Sequence, residues 1–254
     1  MSAFSPDSNF VQRVVPSPNH GKRRDGPYAD ILLLHYTGMK TAQAALERLC
    51  DPAASVSCHY MVFENGEVVQ MVPEALRAHH AGLSCWAGDT DINSRSIGIE
   101  IANPGHDYGY PDYPERQILS VIRLCRDIVV RNNIPPDYVL AHSDVAPTRK
   151  QDPGEKFPWS KFFESGVGLW VPPAHVDGGA ALAEGTSGNE VAALQKDLAD
   201  YGYGVSTSGI FDALTKAVVV AFQRHFRPER FDGVADASTR ETLKALLAAR
   251  TRLA

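Results

Sequence analysis

Three apolar runs in this chain each end on, or carry, a side chain that can bind a metal ion or move a proton. They are ILLLHYTG with His35, SIGIEIAN with Glu100, and VLAHSDVAPTRKQDPG with His142, Lys150 and Asp152. DILLLHYT is apolar almost throughout, the pattern of a strand buried on both faces, and it delivers His35 at its C-terminal end. SIGIEIAN reads as another strand and YVLAHSDV as a third of this kind, ending near His142. HYMVFENGEVVQMV reads as two strands around Asn65-Gly66, the strongest short hairpin signal. Helical patterns lie between them. TAQAALERLC is one. PERQILSVIRLCRDIVVRNN is another, with apolar residues at 118, 121, 122, 125, 128 and 129 and Pro114 suited to its first turn. Strands mixed with helices predict an α/β fold, a central mixed sheet flanked by helices. Residues 1 to 27, polar with Pro and Gly, read as an extended lead-in.

From about residue 165 to 187 Gly, Pro and Ala dominate and periodicity is lost, as in a linker. Beyond it come three helical patterns, NEVAALQKDLADYGY, FDALTKAVVVAFQRHF and DASTRETLKALLAAR. Ser238 with Glu241 matches a capping box. Asp212-Ala213-Leu214-Thr215 before one helix is echoed by Asp236-Ala237-Ser238-Thr239 before the next. The expected division is 1–170 for the α/β unit, 171–187 for the linker and 188–254 for a small three-helix all-α domain.

The 254 residues carry a net charge of −5, without the basic field that collects nucleic acid. No apolar run approaches membrane-spanning length. The N-terminal stretch has no apolar h-region and no lipidation-type Cys, which favours the cytoplasm; a removed leader would favour the periplasm or cell envelope. Cys50, Cys58, Cys85 and Cys125 form no CxxC pair and read as reduced, mostly buried thiols.

Two neutral imidazoles and one carboxylate, His35, His142 and Asp152, leave a tetrahedral zinc with one open position, the mark of a catalytic ion. Each residue also has a plainer reading. A lone His at a strand end is usually a hydrogen-bonded core or surface group, and KQDPG around Lys150 and Asp152 is also turn chemistry. Glu100 is more telling. An unpaired charge inside an apolar strand is costly, so it needs a partner or a task.

The segments LLLHYTG, SCHYMVFENG, HHAGLSCWAG, SIGIEIAN and AHSDVAPTRKQDPG cover roughly residues 28 to 170. In identity and order they resemble the zinc-dependent N-acetylmuramoyl-L-alanine amidases of the AmpD/AmiD type. The resemblance implies zinc on His35, His142 and Asp152, a catalytic acid at Glu100 and a catalytic lysine at Lys150. It implies a substrate groove bordered by His80 and Trp86. Asn103 is expected to bond the peptide or sugar, and Arg149 a stem-peptide carboxylate. His79 is left unassigned, and His59 is expected to point inward. One departure stands out: some relatives use a catalytic Tyr where this chain has Cys58, read here as a small packing residue.

Residues 188 to 250 or so resemble the small three-helix peptidoglycan-binding domain. The implied activity is hydrolysis of the amide between the lactyl group of N-acetylmuramic acid and L-Ala, with peptidoglycan or muropeptide fragments as partners. The rivals are a non-catalytic peptidoglycan-recognition protein and a zinc peptidase acting within the stem peptide. On this reading the first 170 residues or so fold and cleave alone, and the helices are an appendage.

Overall fold

The computed structural model describes residues 4–176 and 178–251. The first three residues of the lead-in, Asp177 in the linker and the last three residues of the helical domain lie outside them. The strands are β1 (Arg13–Val14), β2 (His20–Lys22), β3 (Ile31–Tyr36), β4 (Tyr60–Val62), β5 (Val68–Gln70), β6 (Leu76–Ala78), β7 (Ser96–Ile101) and β8 (Val139–Ala141). The α-helices are α1 (Ala42–Cys50), α2 (Ile92–Arg95), α3 (Glu115–Asn132), α4 (His142–Val145), α5 (Trp159–Glu164), α6 (Asn189–Tyr201), α7 (Ala213–Phe226) and α8 (Ala237–Thr251).

One sheet has the strand order β1-β5-β4-β7-β3-β8. Its β4–β5 hairpin is antiparallel and its other pairs are parallel, so the sheet is mixed, flanked by helices as the sequence predicts. β2 and β6 form a small antiparallel pair. The lead-in is therefore extended but not free, because β1 and β2 are each paired. Arg23, buried just after β2, donates to the backbone carbonyls of Glu74, Asn93, Ser94 and Ser96 and pins that edge down.

The central strands bury alternate residues on opposite faces. Leu32, Leu34, Ile97 and Ile99 pack with Ile118, Val121 and Ile122 of α3. Ile31, Leu33 and Leu140 face the other way. They share one buried cluster with Leu194 and Leu198 of α6 and Val218 and Phe222 of α7. The C-terminal helices thus share one buried cluster with that face of the sheet.

The helical unit carries its repeat down to single hydrogen bonds. Asp212 Oδ1 accepts from Thr215 N at 2.8 Å, and Asp236 Oδ1 accepts from Thr239 N at 2.8 Å. Gln195, fully buried, donates to Thr215 Oγ1 and accepts from Gly209 N. Gln223, equally buried, donates to Thr239 Oγ1 and accepts from Gly233 N. The expected capping box at Ser238 is corrected: Asp236 caps α8, and the Ser238 hydroxyl donates instead to the carbonyl of Ala174. The linker segment is held as well, with Leu182 bridged to Ala235 and Ser187 to Ile210.

Trp86 also departs from expectation. It is fully buried, with its ring edge-on to Tyr201 and Tyr203 at centroid distances of 5.9 and 5.0 Å. A Cβ on Gly202 would come within 2.6 Å of that ring, and Ala87 N donates to Gly202 O at 2.8 Å. Trp86 is therefore a seam residue between the sheet unit and the helices, not a wall of a substrate groove. Replacing a fully buried Trp leaves a large cavity. Trp86→Ala is expected to cost about 3–5 kcal/mol in denaturant titration. A loss well under about 1 kcal/mol would show a ring that can leave its site freely.

Candidate active site

The parallel pairing of β3 with β7 and β8 sets the site. His35 is in register with Glu100, and Leu34 with Ala141, so His142 emerges beside His35. Ligands of open α/β sheets bind outside the carboxyl ends of their strands, and the three side chains meet there. The sequence reading extended the last strand through His142. The strand ends at Ala141 because the Asp144 carboxylate accepts Ala141 N at 2.8 Å, turning the chain into α4.

Three donor atoms converge. His35 Nδ1 lies 2.9 Å from His142 Nδ1 and 3.2 Å from Asp152 Oδ2, and His142 Nδ1 lies 2.9 Å from Asp152 Oδ2. All three residues are at least 95% buried. Ser143 N donates to Asp152 O, which ties the Asp152 turn to the start of α4.

Hydrogen bonds behind the imidazoles fix which nitrogens carry protons. His142 Nε2 faces the carbonyl of Ala81 at 3.1 Å and can only donate to it, leaving Nδ1 with a lone pair. His35 is set by a longer relay. Ser96 Oγ donates to Ile92 O at 2.6 Å, so it accepts from His80 Nε2 at 3.3 Å. His80 Nδ1 is then an acceptor for His35 Nε2 at 3.0 Å, and His35 Nδ1 also presents a lone pair. Burial, with the neighbouring His142, lowers the His35 pKa to about 4. Two aimed lone pairs and one carboxylate oxygen form a donor set that fits a divalent metal ion.

These groups line a cavity of about 450 Å³, together with Glu100, Lys150, Tyr36, His79 and Arg149. Glu100 Oε2 is buried without a hydrogen-bond partner. Burial raises its pKa well above the ordinary value, the charge of Asp152 adds to this, and Lys150 opposes it.

Two further expectations are corrected. Asn103 is 3% exposed and spends its amide on the loop that follows it, donating to Pro111 O and accepting from Gly105 N, each at 2.9 Å. It braces that loop and does not line the cavity. His80 reaches the cavity wall, but its ring nitrogens are engaged by His35 and Ser96. Arg149 does sit at the cavity, held by the carbonyls of Ala81 and Leu83. Cys58 is buried and packs with Met61 and Val69.

The sequence reading missed Tyr36, Ser96 and Gln151. Tyr36 follows His35 directly and donates to His106 Nδ1 at 3.0 Å, since His106 Nε2 faces the Glu155 carboxylate. Adjacency to His35 was its signal. Ser96 carried none, because its role depends on Ile92 and His80 being brought to it.

The family model for N-acetylmuramoyl-L-alanine amidase matches residues 25–155, and a peptidoglycan binding domain model matches residues 187–243. The N-acetylmuramoyl-L-alanine amidase AmiD of Escherichia coli K12 is 37% identical over 233 residues, covering 87% of this chain and 83% of that protein. The 1,6-anhydro-N-acetylmuramyl-L-alanine amidase AmpD of the same organism is 33% identical over 171 residues, covering 59% of this chain and 89% of AmpD. The structure of E. coli AmiD in complex with the substrate anhydro-N-acetylmuramic acid-L-Ala-D-gamma-Glu-L-Lys superposes with a TM-score of 0.76 over 89% of this chain and 91% of that one. AmpDh3 from Pseudomonas aeruginosa in complex with anhydromuramic pentapeptide is 30% identical and superposes with a TM-score of 0.72, over 89% of this chain and 94% of that one. With the buried donor triad, the parallel strand ends that build it and the helical unit behind them, the chain belongs to the N-acetylmuramoyl-L-alanine amidase family and is an enzyme of that class.

Proposed function

We propose that the ion is zinc, held by His35, His142 and Asp152, and that the bond cleaved joins the lactyl group of N-acetylmuramic acid, or its 1,6-anhydro form, to L-Ala of the stem peptide. The observation that carries this reading is the pairing, in one cavity, of a converging His-His-Asp donor set with a buried carboxylate that has no partner. The anhydromuropeptides seen on the related AmiD and AmpDh3 support the choice of substrate. When bound, zinc supplies a Lewis acid and acidifies a water to near neutrality.

The protein's own groups do the rest. Glu100 Oε2 takes the proton of the attacking water and hands it to the departing L-Ala amine. Burial raises its pKa, which favours the protonated form that must deliver the proton to the amine. Lys150, on the same cavity, offsets negative charge that develops on the scissile carbonyl oxygen. Arg149, at the cavity, meets a carboxylate of the stem peptide. The helical unit grips the saccharide or peptide of the fragment.

A compartment reading follows from the thiols. Cys50, Cys58, Cys85 and Cys125 are all free, which accords with a reducing cytoplasm and recycling of imported fragments, the alternative being the periplasm or cell envelope. No helix among the described residues is long and apolar enough to cross a membrane.

Mass spectrometry of products from soluble anhydromuropeptides and from intact sacculi tests the activity. Free L-Ala amino termini on an intact stem peptide are expected, lost on chelation and restored by zinc. Cleavage within the stem peptide, or full activity in metal-free protein, would replace this reading with another. Glu100→Gln is expected to keep its zinc while turnover falls by about 10²–10⁴-fold. Metal content and kcat measured on the same sample check this, and loss of zinc would make Glu100 a ligand. Ser96→Ala removes the acceptor that orders His80 and, through it, His35. Zinc affinity is expected to weaken by about 10–100-fold with the circular dichroism spectrum unchanged, as measured by competition with a chromophoric chelator.

A further inference from the structure

The segment from His142 to Glu155 carries two of the three metal donors and Lys150, and the C-terminal helical unit grips it at two places. The first grip is buried. Asp144, 1% exposed and two residues after His142, accepts at Oδ2 from Ala141 N at 2.8 Å and from His225 Nδ1 at 2.7 Å. Its Oδ1 accepts from Tyr203 OH at 2.8 Å. Ala141 N belongs to the sheet unit, while His225 on α7 and Tyr203 after α6 belong to the helical unit. Two of the three partners of this carboxylate therefore come from the helical unit. The His225 ring is clamped between Trp159 of α5 and Phe226 at centroid distances of 3.7 and 3.9 Å, so its bond to Asp144 has one direction.

The second grip is on the far end of the segment. Arg224, also on α7, donates to Gln151 Oε1 at 3.3 Å and lies 3.7 Å from the Glu155 carboxylate. Gln151 stands between Lys150 and Asp152 and lines the cavity. Glue between the two ends is internal, through Ser143 N donating to Asp152 O at 3.0 Å. The Cys85–Trp86 strap adds a third tie, with Cys85 N on Val145 O and Ala87 N on Gly202 O, each at 2.8 Å.

A buried carboxylate stays where its hydrogen-bond donors are, because leaving any of them unpaired is costly. We propose that the helical unit is a positioning element of the active site: His225 and Tyr203, through Asp144, and Arg224, through Gln151, hold His142, Lys150 and Asp152 in their working geometry. Attachment to cell-wall material is then a second role of the same helices. The inference rests on the metal-site reading above, so wild-type zinc binding and cleavage are measured first. If those fail, that reading falls; if they hold, the ratio of variant to wild type tests the positioning role alone.

The test uses the full chain. His225→Phe keeps the ring stack and removes the donor, and Tyr203→Phe removes one hydroxyl. His225→Asn keeps a donor near the Nδ1 position and gives up the stack. Asp236→Ala strips the cap of α8 and the partner of Arg227 in the same helical unit, and Asp236 makes no hydrogen bond to Asp144, Gln151 or Glu155. Zinc dissociation constant, kcat and KM on a soluble anhydromuropeptide, and melting temperature are read for each.

The double variant His225→Phe/Tyr203→Phe is expected to weaken zinc binding by about 10-fold and to lower kcat more than it raises KM. His225→Asn is expected to recover most of the zinc affinity, and Asp236→Ala to lower the melting temperature while leaving zinc affinity and kcat at wild-type values. Should the double variant not fold, Arg224→Met leaves the buried carboxylate intact and is expected to lower kcat in the same direction by a smaller factor. Zinc affinity and kcat of the folded double variant, or kcat of Arg224→Met in its place, at wild-type levels would overturn the proposal. So would an equal loss of zinc affinity in Asp236→Ala, or no recovery in His225→Asn.

Discussion

The pairing of β3 with β7 over six residues decides almost everything else. In a strand the side-chain period is two, so a shift of one residue sends every side chain to the opposite face. With His35 opposite Glu100, Leu33 is opposite Gly98, and these four share one face. Gly98 is required there. A Cβ on it would lie 2.6 Å from His80 Nδ1 and 2.8 Å from Cys58 Sγ, the space that lets His80 sit behind His35. A one-residue slip would place His35 opposite an apolar side chain, remove the pocket for His80 and turn Glu100 into the layer packed by α3. Register, the candidate metal donors and the buried Glu100 are thus one constraint.

That same face explains the helical unit. Ile31, Leu33, Leu140 and Val145 lie on the side of the sheet that holds the site, beneath and beside its donors. Burying a large aliphatic side chain is worth about 1.5–3 kcal/mol, so baring four of them costs several kcal/mol, comparable with the whole stability of many domains. The α/β unit needs a cover on that face, and α6 and α7 contribute to the buried cluster that encloses it. Covering layers usually lie away from a ligand site. Here the cover meets the sheet next to the metal donors, which is why its polar contacts fall on Asp144, Gln151 and Glu155.

Much of this was legible in the sequence. The apolar runs gave their strands, Asn65-Gly66 gave the hairpin, and the three helical stripes at the C-terminus gave α6, α7 and α8. The residues of the donor triad were legible from their order among segments that resemble the amidases, since a His at a strand end and the carboxylate of KQDPG each have a plainer reading alone. What was not legible depended on partners far away in the chain. A continuous apolar run says that both faces are buried, but not what covers each. Trp86 was misplaced for that reason: its partners Tyr201 and Tyr203 are more than a hundred residues on, across a stretch that reads as a linker. His80 and Asn103 were misplaced for another. Both lie near the cavity in sequence terms, and only the hydrogen bonds of Ser96, His35, Pro111 and Gly105 show that their polar atoms are already spent.

Glu100 shows what remains once such partners are counted. A carboxylate in an apolar strand must be neutralised, paired or used. His80, Asn103 and Asp144 are each satisfied by groups fixed in the fold, so their burial is a matter of architecture. Glu100 Oε2 has no such group. Lys150 and Asp152 act on it with opposite signs, and burial outweighs both. Leaving a buried oxygen unpaired costs on the order of 1–3 kcal/mol. A fold that satisfies Asp144 with three donors and leaves Glu100 Oε2 with none accords with the proposal that this oxygen takes its proton from the attacking water.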